Sequence, residues 1–212
     1  MIKSLLPETD IYCITSEEHS KGRSNIDVVK EMIDAGIKII QYREKEKEMG
    51  EKFEQCLKIR EMTRDAGVFF VINDHADIAL MTEADGIHIG QEDLPIEAVR
   101  KMVGNDMVIG MSTHSPSQAE EAVSKGADYI GVGPIYKTYT KKNVCEPVGL
   151  TYLDYVIKRG DIPFVTLGGI KAHNVSEVNR HGANCVALVT EIVGADNIGA
   201  KIRDIRNRME KG

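Results

Sequence analysis

Short apolar runs rich in β-branched residues alternate along this chain with longer stretches in which apolar positions recur at three- and four-residue spacing. The runs predict strands at Ile11 to Thr15, Ile37 to Arg43, Val68 to Ile72, Gly86 to Ile89, Met107 to Met111, Tyr129 to Val132, Pro163 to Leu167 and Cys185 to Val189. The periodic stretches predict helices, among them Ile26 to Ala35, Met49 to Ala66, Ile96 to Val103, Ser117 to Lys125 and Val175 to Arg180. Strands that are mainly apolar on both faces, set between amphipathic helices, describe a parallel sheet covered by helices. Eight such repeats fit an α/β fold, a closed (β/α)8 TIM barrel forming a single domain over residues 1–212. An open doubly wound sheet is the alternative, weakened because no Gly-rich dinucleotide turn follows the first strand. No linker, low-complexity tract or shift in composition marks a second domain.

Composition narrows the partners. The formal net charge of −6, with basic residues dispersed, argues against a nucleic-acid or anionic-membrane surface and for a small ligand. No apolar stretch approaches the roughly 18 residues needed to cross a bilayer, and Met1 to Asp10 carries no signal-peptide pattern, so a cytoplasmic protein is expected. Cys13, Cys56, Cys145 and Cys185 lie far apart without paired spacing, as reduced thiols do, and Cys13 and Cys185 read as core residues of strands. A homo-oligomer is compatible with all of this.

Polar clusters follow the apolar runs. In an extended Ile37 to Arg43, alternation puts Gln41 and Arg43 on the face of Ile37 and Ile39, joined by Lys45 if the path stays extended; Lys38 falls opposite, with Ile40 and Tyr42. In a (β/α)8 barrel the groups just after each strand form one ring at the mouth. Gln41, Arg43 and Lys45 are followed round that ring by Asn73 and Asp74, Gln91 and Asp93, Ser112 and His114. Thr138, Thr140 and Lys141, then Gly168 and Gly169, then Val189 and Thr190 complete it, while nothing comparable gathers at the strand starts. Asp74 and Asp93, on successive strand ends, could share a Mg²⁺ ion, or could cap the helical patterns at His75 to Leu80 and Pro95 to Val103. Gly168-Gly169-Ile170 and Val189-Thr190 could offer backbone N–H groups to a phosphate, or the glycines could serve only a tight turn. The loop from Gly131 through Lys142 supplies hydroxyl and cationic side chains, although Lys141 and Lys142 could also be an ordinary solvated pair.

Taken together, Gln41-Tyr42-Arg43-Glu44-Lys45, Ile72-Asn73-Asp74, Ala84 through Asp93, Gly110-Met111-Ser112-Thr113-His114 and Gly126 through Ile135 resemble the thiamine-phosphate synthase family in order and spacing. Thr138-Tyr139-Thr140-Lys141, Gly168-Gly169-Ile170 and Val189-Thr190 extend the resemblance over nearly the whole chain. It implies a TIM-barrel transferase, a thiamine-phosphate diphosphorylase. Such an enzyme joins 4-amino-2-methyl-5-hydroxymethylpyrimidine diphosphate to hydroxyethylthiazole phosphate, with Mg²⁺ assisting a dissociative release of diphosphate. By position it implies that Gln41 contacts the pyrimidine within the substrate-binding run Gln41, Tyr42, Arg43, Glu44 and Lys45. Arg43, Lys45, Asn73, Ser112 and Lys141 would hold the diphosphate, with Arg43, Lys45, Ser112 and Lys141 the catalytic set and Asp74 and Asp93 the metal ligands. Thr138, Thr140, Gly169, Val189 and Thr190 would take the thiazole phosphate, the last three largely through backbone, with Tyr139 counted among the substrate-binding residues.

The resemblance has departures. Glu191 follows Thr190 where the family commonly has serine and alanine, and it is expected to point away from the phosphate. His114 also matches a related thiazole tautomerase in which a histidine moves a proton, and a lone histidine here can equally be structural. His88 reads as core or barrel wall, and Cys145 is needed as no nucleophile. A tautomerase-like enzyme and a non-catalytic phosphate-ligand binder are the alternatives, and neither has much use for a metal cage.

Overall fold

The computed structural model describes residues 2–140 and 145–210. Among these, eight parallel strands close into a barrel in sequence order: β1 (Ile11–Ile14), β2 (Ile39–Tyr42), β3 (Phe69–Asn73), β4 (Gly86–Ile89), β5 (Val108–Thr113), β6 (Tyr129–Val132), β7 (Phe164–Leu167) and β8 (Val186–Leu188), with β8 paired to β1. The helices are α1 (Ile2–Leu5), α2 (Asn25–Asp34), α3 (Met49–Ala66), α4 (Ala76–Met81), α5 (Ile96–Val103), α6 (Pro116–Ser124), α7 (Gly149–Arg159), α8 (Val175–Arg180), α9 (Thr190–Val193) and α10 (Ile198–Glu210). The expected (β/α)8 barrel is thus the fold.

Strand alternation sorts the core into two layers. Tyr12, Ile14, Ile39, Phe69, Val71, Val108, Tyr129 and Val165 pack inside the barrel. Ile11, Cys13, Ile40, Tyr42, Phe70, Ile72 and Ile87 face outward to the helices. Ile2 and Leu6 join the inner layer from the chain start, and Lys38, just before β2, donates to the Glu8 carbonyl, so this segment closes the strand-start end. Helix α2 is held at its start by a reciprocal box: the Ser24 side chain accepts from the Asp27 N–H, and the Asp27 carboxylate takes the Ser24 N–H.

Two expectations are corrected. Strand two is shorter than Ile37 to Arg43, because Ile37 N–H still bonds the Met32 carbonyl of α2; Ile37 therefore packs in the outer layer and not on the face of Ile39 and Gln41. The strand starts are also not empty of polar clusters. Asp10, Asp85 and Asp128 each pair with an arginine from a neighbouring helix, Arg206, Arg60 and Arg100, while accepting a strand N–H from Ile11, Phe70 and Ile109 respectively. These carboxylates clamp helices to strand beginnings, and all their bonds are internal.

Gly110 faces the interior, where a Cβ would lie 2.1 Å from Tyr129 Cζ. Gly110→Ala is expected to cost about 1–3 kcal/mol through overpacking, read as a lower urea midpoint. Gly50→Ala in α3, where a Cβ meets nothing within 4 Å, should leave the midpoint unchanged or slightly raised.

Candidate active site

The carboxyl ends of β2 to β5 bring a charged group together. Asp74 follows β3 in the left-handed backbone region, φ +64°, a conformation an aspartate tolerates better than most residues yet still at a cost. Its N–H is held by the His88 carbonyl, and its carboxylate pairs with the Lys45 ammonium. Asp93 closes a turn in which its Oδ2 accepts the Gly90 N–H at 2.7 Å. Desolvation by burial, together with the neighbouring Asp74 carboxyl, raises the Asp93 pKa over the opposing pull of that N–H. Burial lowers the Arg43 pKa, while Asp74, Glu44 and Glu18 act to hold its charge. Neither aspartate caps a helix: the N-caps of α4 and α5 are His75 and Pro95, with no side-chain cap bond at either.

Other predicted groups border this cluster. Asn73 pairs in register with His88, whose Nε2 lies 2.9 Å from Ser112 Oγ, and Gln91 donates to the Ser112 carbonyl. Gln41 points inward and is buried, bonded to the Tyr12 hydroxyl. Tyr42 is not brought to the mouth, and the Glu44 carboxylate is engaged by the loop after β1. Alternation turns Tyr42 into the outer layer, 2% exposed, where its hydroxyl donates to Gln55 of α3. Glu44 spends its carboxylate on the Glu17 N–H and the Asn25 side-chain amide, fixing the loop after β1.

On the far side of the mouth, Gly168 and Gly169 have φ of +95° and +67°. A Cβ on Gly168 would fall 2.4 Å from Pro134, and one on Gly169 2.7 Å from the Lys137 carbonyl, so the pair serves close approach of the β6 loop as well as backbone angle. Thr138 and Thr140 place their hydroxyls 3.3 Å apart, whereas Tyr139 is 81% exposed with Lys137 over its ring. Val189 packs on the inner layer and Thr190 opens α9. Glu191 is taken up by the Ala172 N–H and the Lys201 ammonium. The His114 Nδ1–H donates to the Gly133 carbonyl at 2.6 Å, a structural bond. Lys141 and Lys142 lie outside the described residues.

Several site-building residues escaped the sequence reading. Tyr12 and Tyr129 line the interior beneath the mouth beside His88, which the sequence already placed in the core or barrel wall. Lys52, 5% exposed, reaches His75 Nε2 and the Lys45 carbonyl, bracing the strand-two loop. Its signal was available, since Lys52 shares the buried stripe of α3 with Cys56, Ile59 and Thr63. Among the described residues no set of three or more His, Cys, Asp or Glu side chains forms a complete metal cage. The donor types are compatible with Mg²⁺ all the same: Asp74 and Asp93 are hard carboxyl groups near enough to influence one another, and such an ion takes its remaining ligands from water and substrate phosphate.

A closed eight-stranded barrel with cations and carboxylates at its strand ends has the architecture of the (β/α)8 enzymes, whose sites lie at that face. Residues 11–192 match the thiamine monophosphate synthase family, and the chain belongs to it. A thiamine-phosphate synthase of Pelotomaculum thermopropionicum is 62% identical over 201 residues, covering 95% of this chain and 92% of that protein. One of Lawsonia intracellularis is 53% identical over 199 residues, covering 94% and 92%. The solved structure of thiamine phosphate pyrophosphorylase from Pyrococcus furiosus superposes with a TM-score of 0.88 at 30% identity, covering 98% of each chain.

The raised Asp93 pKa has a sign that can be checked. An acid whose folded-state pKa exceeds its unfolded value is penalised as the anion, so the fold loses stability as pH rises through that interval and carries the full penalty above it. Asp93→Asn should therefore raise the melting temperature at pH 7 by about 1–2 °C, solvent screening keeping the gain small. The gain should vanish below about pH 4, where the unfolded carboxyl is protonated too. A variant that melts lower at pH 7 would show the carboxylate to be a stabilising turn residue.

Proposed function

We propose that this chain joins the aminopyrimidine diphosphate to the thiazole phosphate and releases diphosphate, and that the ring of strand-end groups is where it does so. The carrying observation is the Asp74 and Asp93 carboxyl pair set beside Arg43 and Lys45. A tautomerase or a passive binder expels no diphosphate and gains nothing from holding two carboxylates together.

In this reading the C–O bond between the pyrimidine methylene and the diphosphate breaks, the electron pair leaving with the diphosphate. The electron-rich aminopyrimidine spreads the positive charge left on the methylene, and the thiazole nitrogen then forms the new C–N bond. No protein nucleophile is needed. Arg43, Lys45, Asn73, Ser112 and Lys141 orient the diphosphate and meet the charge that grows on it, while Gln41 orients the ring. Thr138, Thr140, Gly169, Val189 and Thr190 receive the thiazole phosphate, with the exposed Tyr139 at the rim. Tyr42 and Glu44 act through packing and by holding the loop after β1. Asp74 and Asp93 would hold Mg²⁺, which when bound supplies positive charge to the leaving group. We place the reaction in the cytoplasm: the four cysteines are free thiols, and no described helix is long and apolar enough to cross a membrane.

Protein mixed with both substrates and Mg²⁺ should release diphosphate and form thiamine phosphate, with chelator cutting the rate at least about 100-fold. Asp93→Asn should fall by a similar factor while remaining folded. No diphosphate release, or release indifferent to chelator, sinks the reading.

A further inference from the structure

A line of hydrogen bonds runs through the barrel interior from one predicted subsite to the other. Gln41 Nε2 lies 2.9 Å from the Tyr12 hydroxyl, which lies 3.0 Å from that of Tyr129. The Tyr129 hydroxyl lies 3.0 Å from His88 Nδ1, and His88 Nε2 lies 2.9 Å from Ser112 Oγ. The line crosses β2, β1, β6, β4 and β5, and its members from Gln41 through His88 are all buried. The barrel makes room for it: a Cβ on Gly110 would strike the Tyr129 ring, and one on Gly131 would sit 3.3 Å from His88 Cε1. A buried polar line of this length is costly unless every member is satisfied, so it is an improbable way merely to fill a core.

Its members constrain one another. Burial pushes both phenol pKa values upward, so each tyrosine keeps its single proton to donate. With His88 neutral, its ring donates from one nitrogen and accepts at the other. The line then has two self-consistent directions, and the heavy-atom distances are alike in both. In the first, the Gln41 amide N–H donates to Tyr12, Tyr12 to Tyr129, Tyr129 to His88 Nδ1, and His88 Nε2–H to Ser112. That leaves Gln41 Oε1 as an acceptor and the Ser112 hydroxyl proton as a donor, both for use at the mouth. In the second, every bond reverses: Gln41 offers its NH₂, and Ser112, its proton spent on His88, shows only lone pairs. An anionic phosphate oxygen at Ser112 is held by the first direction and repelled by the second.

We propose that Tyr12, Tyr129 and His88 are positioning residues that couple the two subsites, so that an anion at Ser112 sets the Gln41 amide to accept from the pyrimidine amino group. This rests on the functional reading above, in which Gln41 and Ser112 meet substrate. The three residues touch no reacting atom; they decide which hydrogen-bonding face each end presents.

The test reads the His88 tautomer by ¹⁵N NMR of histidine-labelled protein, the signal being identified by its loss in His88→Gln. With inorganic diphosphate and Mg²⁺ the wild-type protein should hold His88 as the Nε2–H form. In Tyr129→Phe the His88 response should persist, because His88 meets Ser112 directly, while its transmission to Gln41 is cut and kcat/KM falls about tenfold, the worth of one well-made hydrogen bond. A cycle of Gln41→Ala and Ser112→Ala should be non-additive in the wild-type background and additive with Phe at 129. A wild-type enzyme that releases diphosphate yet keeps His88 as Nδ1–H or a mixture overturns the coupling alone. So does a cycle equally non-additive in both backgrounds. A wild-type protein that releases no diphosphate overturns the functional reading and the coupling with it.

Discussion

Closing a parallel sheet on itself forces every second side chain of each strand into a shared interior, and the rest of this molecule follows from that constraint. Adjacent residues acquire unrelated fates: Gln41 enters the barrel and bonds Tyr12, while Tyr42 leaves it and bonds Gln55. The interior is small, so Gly110 and Gly131 yield volume to Tyr129 and His88. Polar groups that enter it lie within reach of one another and form a continuous line.

The two ends of the barrel treat charge in opposite ways. At the strand starts, Asp10, Asp85 and Asp128 are matched by arginines and strand N–H groups, and the fold is the beneficiary. At the strand ends, Asp74 occupies a strained backbone and Asp93 is pushed against a like charge. Local cost of that kind persists where a ligand can relieve it. The Ala84 through Asp93 segment holds both kinds, since Asp85 serves the clamp and Asp93 the mouth.

Much of this was legible along the chain. The eight strands lie where the β-branched runs stand, and the departures at Ile37 and Arg43 arise because the end of α2 and the Thr15 hydroxyl capture backbone that the run alone would extend. The strand-end ring was readable because barrel topology gathers carboxyl termini whatever the loops do. Lys52 was readable too, from its place on the α3 stripe. Glu44 was not: nothing local says that its carboxylate will meet the Glu17 N–H and the Asn25 amide.

By itself the sequence determined periodicity, and with it the eight strands and a parallel sheet covered by helices; the ordered motifs separately carried the resemblance to the family. The elements depend on spacings of two and of three to four residues, which are local properties. Only the tertiary structure decided that Asp74 and Asp93 meet, that neither is a cap, and that Tyr12, Tyr129 and His88 join Gln41 to Ser112. Those contacts span up to 117 residues of chain, and their existence depends on barrel register and side-chain reach, which no window of sequence contains.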